Sequence, residues 1–185
     1  MELRTVRELS ANLLELEKTW KVSLKHTEFG VVEPLFRQND FEKLKYLPID
    51  KNWIKETLVL EKKYNLFKTC EKLIMIGCGM YPYSMIDTFK RFPDIKQIGI
   101  DYDLRCAKIA SQIVDKCEFS SIEIINCDGI DFDYSNLKDE DLVFISCDVN
   151  NIDGIYNKII NTSKAQVFIC APSRTAWLDN YFLGD

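Results

Sequence analysis

Residues 73–84 read Leu-Ile-Met-Ile-Gly-Cys-Gly-Met-Tyr-Pro-Tyr-Ser, an apolar run that meets two closely spaced glycines and then a helical pattern. Glycines at such a junction let the chain turn sharply and bring its backbone close to a ligand. The helix that follows offers main-chain donors and the positive end of its dipole. Gly77, Cys78, Gly79 and Pro82 are therefore candidates for cradling a nucleotide-like cofactor. The plainer alternative is an ordinary tight turn between a strand and a helix.

The third glycine of the dinucleotide fingerprint is missing, and Pro82 stands where the helix begins. That glycine is what allows close helix packing beside a pyrophosphate, so a nicotinamide dinucleotide is disfavoured. A cofactor without phosphates, carrying a carboxylate and an amine, needs a wider turn and a few N–H donors, which suits S-adenosylmethionine. Further along, Ile98-Gly99-Ile100-Asp101-Tyr102-Asp103 places an acid at the end of a second apolar run. Asp101 is positioned to accept both hydroxyls of a ribose, with Tyr102 beside it, and Asp103 to cap the next helix. Asp128-Gly129 follows a third run, where the carboxylate could accept from an adenine amino group or simply close a type I turn. Cys147-Asp148 follows a fourth, where Cys147 would line the cofactor and Asp148 would meet a substrate amine or act as base, or else cap a helix.

Positioning these residues requires a sheet whose strands all end on one edge. Short β-branched runs at 73–76, 97–100, 122–125, 142–145 and 166–169 alternate with amphipathic stretches such as 103–116 and 152–160. Strands alternating with helices predict right-handed crossovers and a doubly wound parallel sheet covered on both faces. The continuous apolar character of the runs agrees with two-sided burial. Before residue 70 the texture is helical. Val6, Leu9, Leu13, Leu16 and Trp20 form one stripe, Glu33-Pro34 opens a second helix, and Asp50 can cap a third that runs past Glu61. The chain thus divides into an N-terminal helical cap, 1–70, and a cofactor-binding domain, 71–185. The cap would close over the carboxyl ends of the strands.

Composition narrows the function classes. The 185 residues hold 24 Lys and Arg against 29 Asp and Glu, a net charge of −5 that leaves no electrostatic footprint for nucleic acid. No long apolar stretch marks a membrane span or a signal peptide, so a cytoplasmic protein is expected. Seven cysteines with no C-x-x-C, and His26 alone of its kind, fit buried thiols in a reducing compartment and no metal site.

Together these positions resemble a class I S-adenosylmethionine-dependent methyltransferase. More narrowly, the turn from Gly77 to Ser84 is similar to the Gly-x-Gly-x-x-Pro-x-Ser/Thr turn of the nicotianamine synthase-like branch, over about residues 54 to 182. The resemblance implies a shortened Rossmann-like class I methyltransferase fold that binds S-adenosylmethionine. The turn itself would place Tyr81 and Tyr83 beside the cofactor, with Tyr81 as both a binding and a catalytic candidate. Leu60-Glu61 is similar to a Leu-Glu step of the branch, which makes Glu61 a second catalytic candidate beside Asp148. Arg174 is a weaker candidate for holding a substrate carboxylate. After the fifth run few residues remain for the usual antiparallel hairpin, so a homo-oligomer or partner subunit at that sheet edge is expected. The activity implied is methyl transfer to a small amine- or carboxylate-bearing metabolite. The alternatives are transfer or cyclisation of the aminocarboxypropyl arm, releasing methylthioadenosine, or a non-catalytic partner subunit.

Overall fold

Five runs of apolar sequence form the strands of one sheet in the structure, a computed structural model that describes residues 28–47, 61–62, 65–146 and 149–169. They are β1 (Lys72–Ile76), β2 (Lys96–Asp101), β3 (Ile122–Asn126), β4 (Leu142–Ile145) and β5 (Gln166–Ile169). Every pairing is parallel, in the order β3-β2-β1-β4-β5. The chain winds outward from β1 through β2 to β3, then returns to lay β4 on the other side of β1. This reversal leaves a switch point between β1 and β4, the place where open α/β sheets bind ligands.

Burial on both faces explains the unbroken apolar runs. Leu73, Met75, Leu142, Phe144 and Phe168 point into one buried cluster. Their neighbours Ile74, Ile76, Val143, Ile145 and Val167 point into the other. Such alternation is the two-residue period of a strand sandwiched between layers.

The first face is covered by two helices, which we number after the shorter ones of the cap. The cap supplies a π-helical turn (Glu28–Val32), α1 (Glu33–Arg37, with its proline in the first turn) and α2 (Phe41–Lys45). The covering helices are α3 (Tyr83–Arg91) and α4 (Leu104–Lys116). Helix α4 starts where the sequence predicts, because Asp103 accepts from the main-chain N–H of Arg105 at 2.8 Å and of Cys106 at 3.3 Å. It then buries Ala107, Ile109, Ala110, Ile113 and Val114, an apolar stripe at helical spacing. On the second face α5 (Ile152–Thr162) buries Ile155, Tyr156 and Ile159. The link from β3 to β4 completes that layer without a helix, through Tyr134, whose hydroxyl donates to the Gly129 carbonyl at 2.7 Å, and Leu137.

The described part of the cap lies against α3 and α4. Val32, Leu44, Leu66 and Phe67 share one buried cluster with Met80, Tyr81 and Met85. Glu33 pairs with Arg37 and with Arg105 of α4, and Lys90 of α3 donates to the Lys45 carbonyl at 3.3 Å. These residues form an extra layer on the helical face of the domain. The expected stripe from Val6 to Trp20, the helix capped by Asp50 and the segment carrying Arg174 lie outside the described residues. Among the described residues no helix is long and apolar enough to cross a membrane.

Candidate cofactor site

The carboxyl edge of β1 and β2 is tied together by main-chain bonds. Gly77 and Cys78 both donate to the Ile100 carbonyl, at 2.8 and 3.2 Å. Gly79 donates instead to the Asp101 carboxylate at 2.8 Å, and the other oxygen of Asp101 accepts from the Asp103 N–H at 3.0 Å. The turn therefore directs these donors inward, onto β2, where the sequence alone suggested donors held out for a ligand. The turn itself is made by two left-handed glycines, Gly77 at φ 75° and Gly79 at φ 68°. A side chain is excluded at Gly77 on a second ground. A Cβ there would stand 2.7 Å from Val149 Cγ2 and 3.1 Å from Ser146 Cβ, both following β4.

Asp101 is only 7% exposed, and burial pushes its carboxyl pKa upward. The hydrogen bonds from Gly79 and Asp103 pull the other way without cancelling it. Each oxygen takes one main-chain bond, which leaves lone-pair capacity on both for further donors. Next to it in the chain Tyr102 is 65% exposed and Leu104 52%, two large side chains open to solvent just after β2.

The structure brings Gly77, Cys78, Gly79, Asp101 and Tyr102 together at this edge. Cys78 takes part through its backbone, since its side chain is buried, and a Cβ on Gly99 of β2 would stand 3.1 Å from its sulfur. Pro82 caps α3. Asp128 is exposed and its carboxylate accepts from Ile130 N–H at 3.0 Å, a turn of the kind that residue type favours. Gly129 is packed: a Cβ there would meet Ile76 Cγ2 at 2.8 Å and Ile155 Cδ1 at 3.0 Å. Cys147 and Asp148 lie outside the described residues.

Two expected residues are placed elsewhere. Tyr81 is 1% exposed and donates its hydroxyl to the Leu44 carbonyl at 2.6 Å, so it joins the cap to the glycine turn. Burial pushes its phenol pKa well up, which keeps that proton in place. Glu61 pairs with Arg91, which also holds Asp87 at 2.8 Å and lies over the Phe92 ring. Arg91 ends α3, so this ion pair stands at the opposite end of the helix from the glycine turn. Residue type could not separate these roles, because a tyrosine in a turn and a glutamate on a helix serve packing and chemistry alike.

One residue that the sequence did not single out for this edge is Asn126, the last of β3. Its amide donates to the Asp101 carbonyl at 2.8 Å and the Tyr102 carbonyl at 3.0 Å. The only signal available was its place one strand over from Asp101, in register with it. Among the described residues no group of acids, histidines and cysteines could hold a metal ion. The described cysteines are thiols, and burial pushes Cys70 up to about 12.

No family profile and no curated protein matches the sequence. Solved structures do. A mutant of the nicotianamine synthase MtNAS, in complex with S-adenosylmethionine, is 12% identical with a TM-score of 0.58, over 86% of this chain and 63% of that one. The chain has the class I methyltransferase fold. The plantazolicin methyltransferase BpumL, in complex with a desmethyl analogue and SAH, is 17% identical with a TM-score of 0.51, over 87% and 61%. The StiE O-MT domain is 17% identical with a TM-score of 0.52, over 62% and 42%. The chain spans less than two thirds of the length of each of these structures.

Proposed function

We propose that this chain is an S-adenosylmethionine-dependent transferase, in the first instance a methyltransferase acting on a small amine- or carboxylate-bearing metabolite. The observation that carries the proposal is the Asp101 carboxylate, joined to the glycine turn through the Gly79 N–H beside the exposed Tyr102. A buried carboxylate with unused lone pairs at the end of β2 fits vicinal hydroxyls, and Tyr102 and Leu104 offer an apolar bed for a purine. The bare backbone of Gly77 and Gly79 allows close approach, so the adenosine half of the cofactor fits the residues present. S-adenosylmethionine would supply a sulfonium whose attached carbons are open to displacement. The chain's own contribution is then to hold and align, and Asp148 is the candidate to orient an amine or take its proton.

A second reading keeps the cofactor and transfers or cyclises its aminocarboxypropyl arm. The Pro82 turn and the likeness in fold to MtNAS favour it. Incubating the purified protein with S-adenosylmethionine alone, followed by mass spectrometry of adenosine-containing products, separates the two. Methylthioadenosine formed without an acceptor means arm transfer. Intact cofactor that binds, with binding abolished by Asp101→Ala, leaves a methyltransferase awaiting its acceptor. A protein that binds no cofactor is a non-catalytic subunit, and the transferase reading falls.

A further inference from the structure

Asn126 is exposed, yet both hydrogens of its amide are directed at consecutive main-chain carbonyls of another strand's end, those of Asp101 and Tyr102. Both partners are acceptors, so only the amide nitrogen can face them, and the orientation of the side chain is fixed by chemistry. The Asp101 carbonyl also accepts from the Cys127 N–H at 3.1 Å, which places two donors from the end of β3 on one oxygen of β2. From Asp101 the chain of bonds continues through its carboxylate to Gly79 and Asp103. Tyr102 is 65% exposed, and the peptide that follows it is held on one side by this carbonyl contact and on the other by the Asp103 N–H on the Asp101 carboxylate.

We infer that Asn126 is a positioning residue of the proposed site, holding the Asp101–Tyr102 main chain, and through it the glycine turn, in the shape that meets the adenosine half of the cofactor. The role in binding rests on the transferase reading above; the mechanical role does not. A serine or alanine at 126 would leave the parallel pairing of β3 intact, because that pairing runs through backbone groups. It would remove the side-chain half of the bridge, leaving only the Cys127 N–H on the Asp101 carbonyl.

The test has two arms. Amide hydrogen exchange is measured in the wild type and in Asn126→Ala, with Asn126→Ser as a second variant. Exchange at Gly79 and Asp103 is expected to rise about tenfold or more relative to Ile74 and Val143 in the central strands. A rise shared equally by those central amides, or no rise at all, overturns the positioning role whether or not any cofactor binds. In the second arm, titration calorimetry with S-adenosylhomocysteine is run on the wild type, Asn126→Ala, Tyr102→Ala and the double variant. Asn126→Ala is expected to weaken binding roughly tenfold in the wild-type background, and by a smaller factor once the Tyr102 side chain is gone. Equal losses in both backgrounds would make Asn126 a general stabiliser and sink the proposal. A wild type that binds neither this probe nor S-adenosylmethionine sinks the transferase reading, and the exchange arm alone then decides the mechanical role.

Discussion

Asp101 combines burial with ionic demand, and the two conflict in a way that pH exposes. Burial raises its folded pKa above the ordinary carboxyl value, so the folded state holds the proton more tightly than the unfolded chain does. Its contribution to stability is therefore fully present below the unfolded value and is lost as pH rises through the folded one. Binding runs the other way, since the ionised form is the one that accepts from hydroxyls. Affinity for S-adenosylhomocysteine is expected to fall as pH is lowered through the range in which the buried carboxyl takes up its proton. Calorimetry across that range checks it, and Asp101→Asn should bind about 10- to 100-fold more weakly with a flat pH response. A wild-type profile as flat as the variant's would remove Asp101 from the site. The sequence made Asp101 legible as the partner of the glycine turn because a strand-end acid follows that turn at the spacing of one helix and one strand. It left Tyr81 and Glu61 ambiguous, because their partners, Leu44 and Arg91, are distant in sequence and join them only through the packing of the cap.

At the scale of elements, the strands were readable almost to the residue, because a parallel strand buried on both faces has no polar period to confuse with a helix. What sequence could not supply was why particular glycines are needed. Gly99 sits in the middle of β2, and a Cβ there would meet Ile124 Cδ1 at 2.7 Å and Met85 Sδ at 2.9 Å, so α3 rests directly on the strand. Gly99→Ala is expected to cost about 1–3 kcal/mol in urea unfolding, with part of the loss recovered by Ile124→Val, which removes the nearer atom. Gly77→Ala should be worse, about 2–4 kcal/mol, because left-handed backbone adds to the clash with Val149. No recovery on trimming Ile124 would place the strain of Gly99→Ala elsewhere. The turn of α4 offers a cleaner check on the capping argument: Asp103→Ala should cost about 1 kcal/mol.

The molecule as a whole sets cap, helices and sheet into one buried cluster on one face, while the other face is closed by α5 and the β3–β4 link. The two faces meet at the carboxyl edge, where β2, the glycine turn and the segment after β4 converge on Gly77 and Asp101. A ligand seated there touches elements from both layers, so its binding energy adds to the stability of the entire domain and not of one loop. At about one hundred times its dissociation constant such a ligand stabilises by about 2.7 kcal/mol. For a chain of this size that corresponds to a rise in Tm of about 5–10 °C. S-adenosylmethionine and S-adenosylhomocysteine should both produce it in thermal unfolding. NAD should not, because the third glycine that lets a helix pack beside a pyrophosphate is missing from this turn, and Pro82 stands at the start of α3 instead. A shift with NAD and none with the sulfonium cofactor would reverse the assignment.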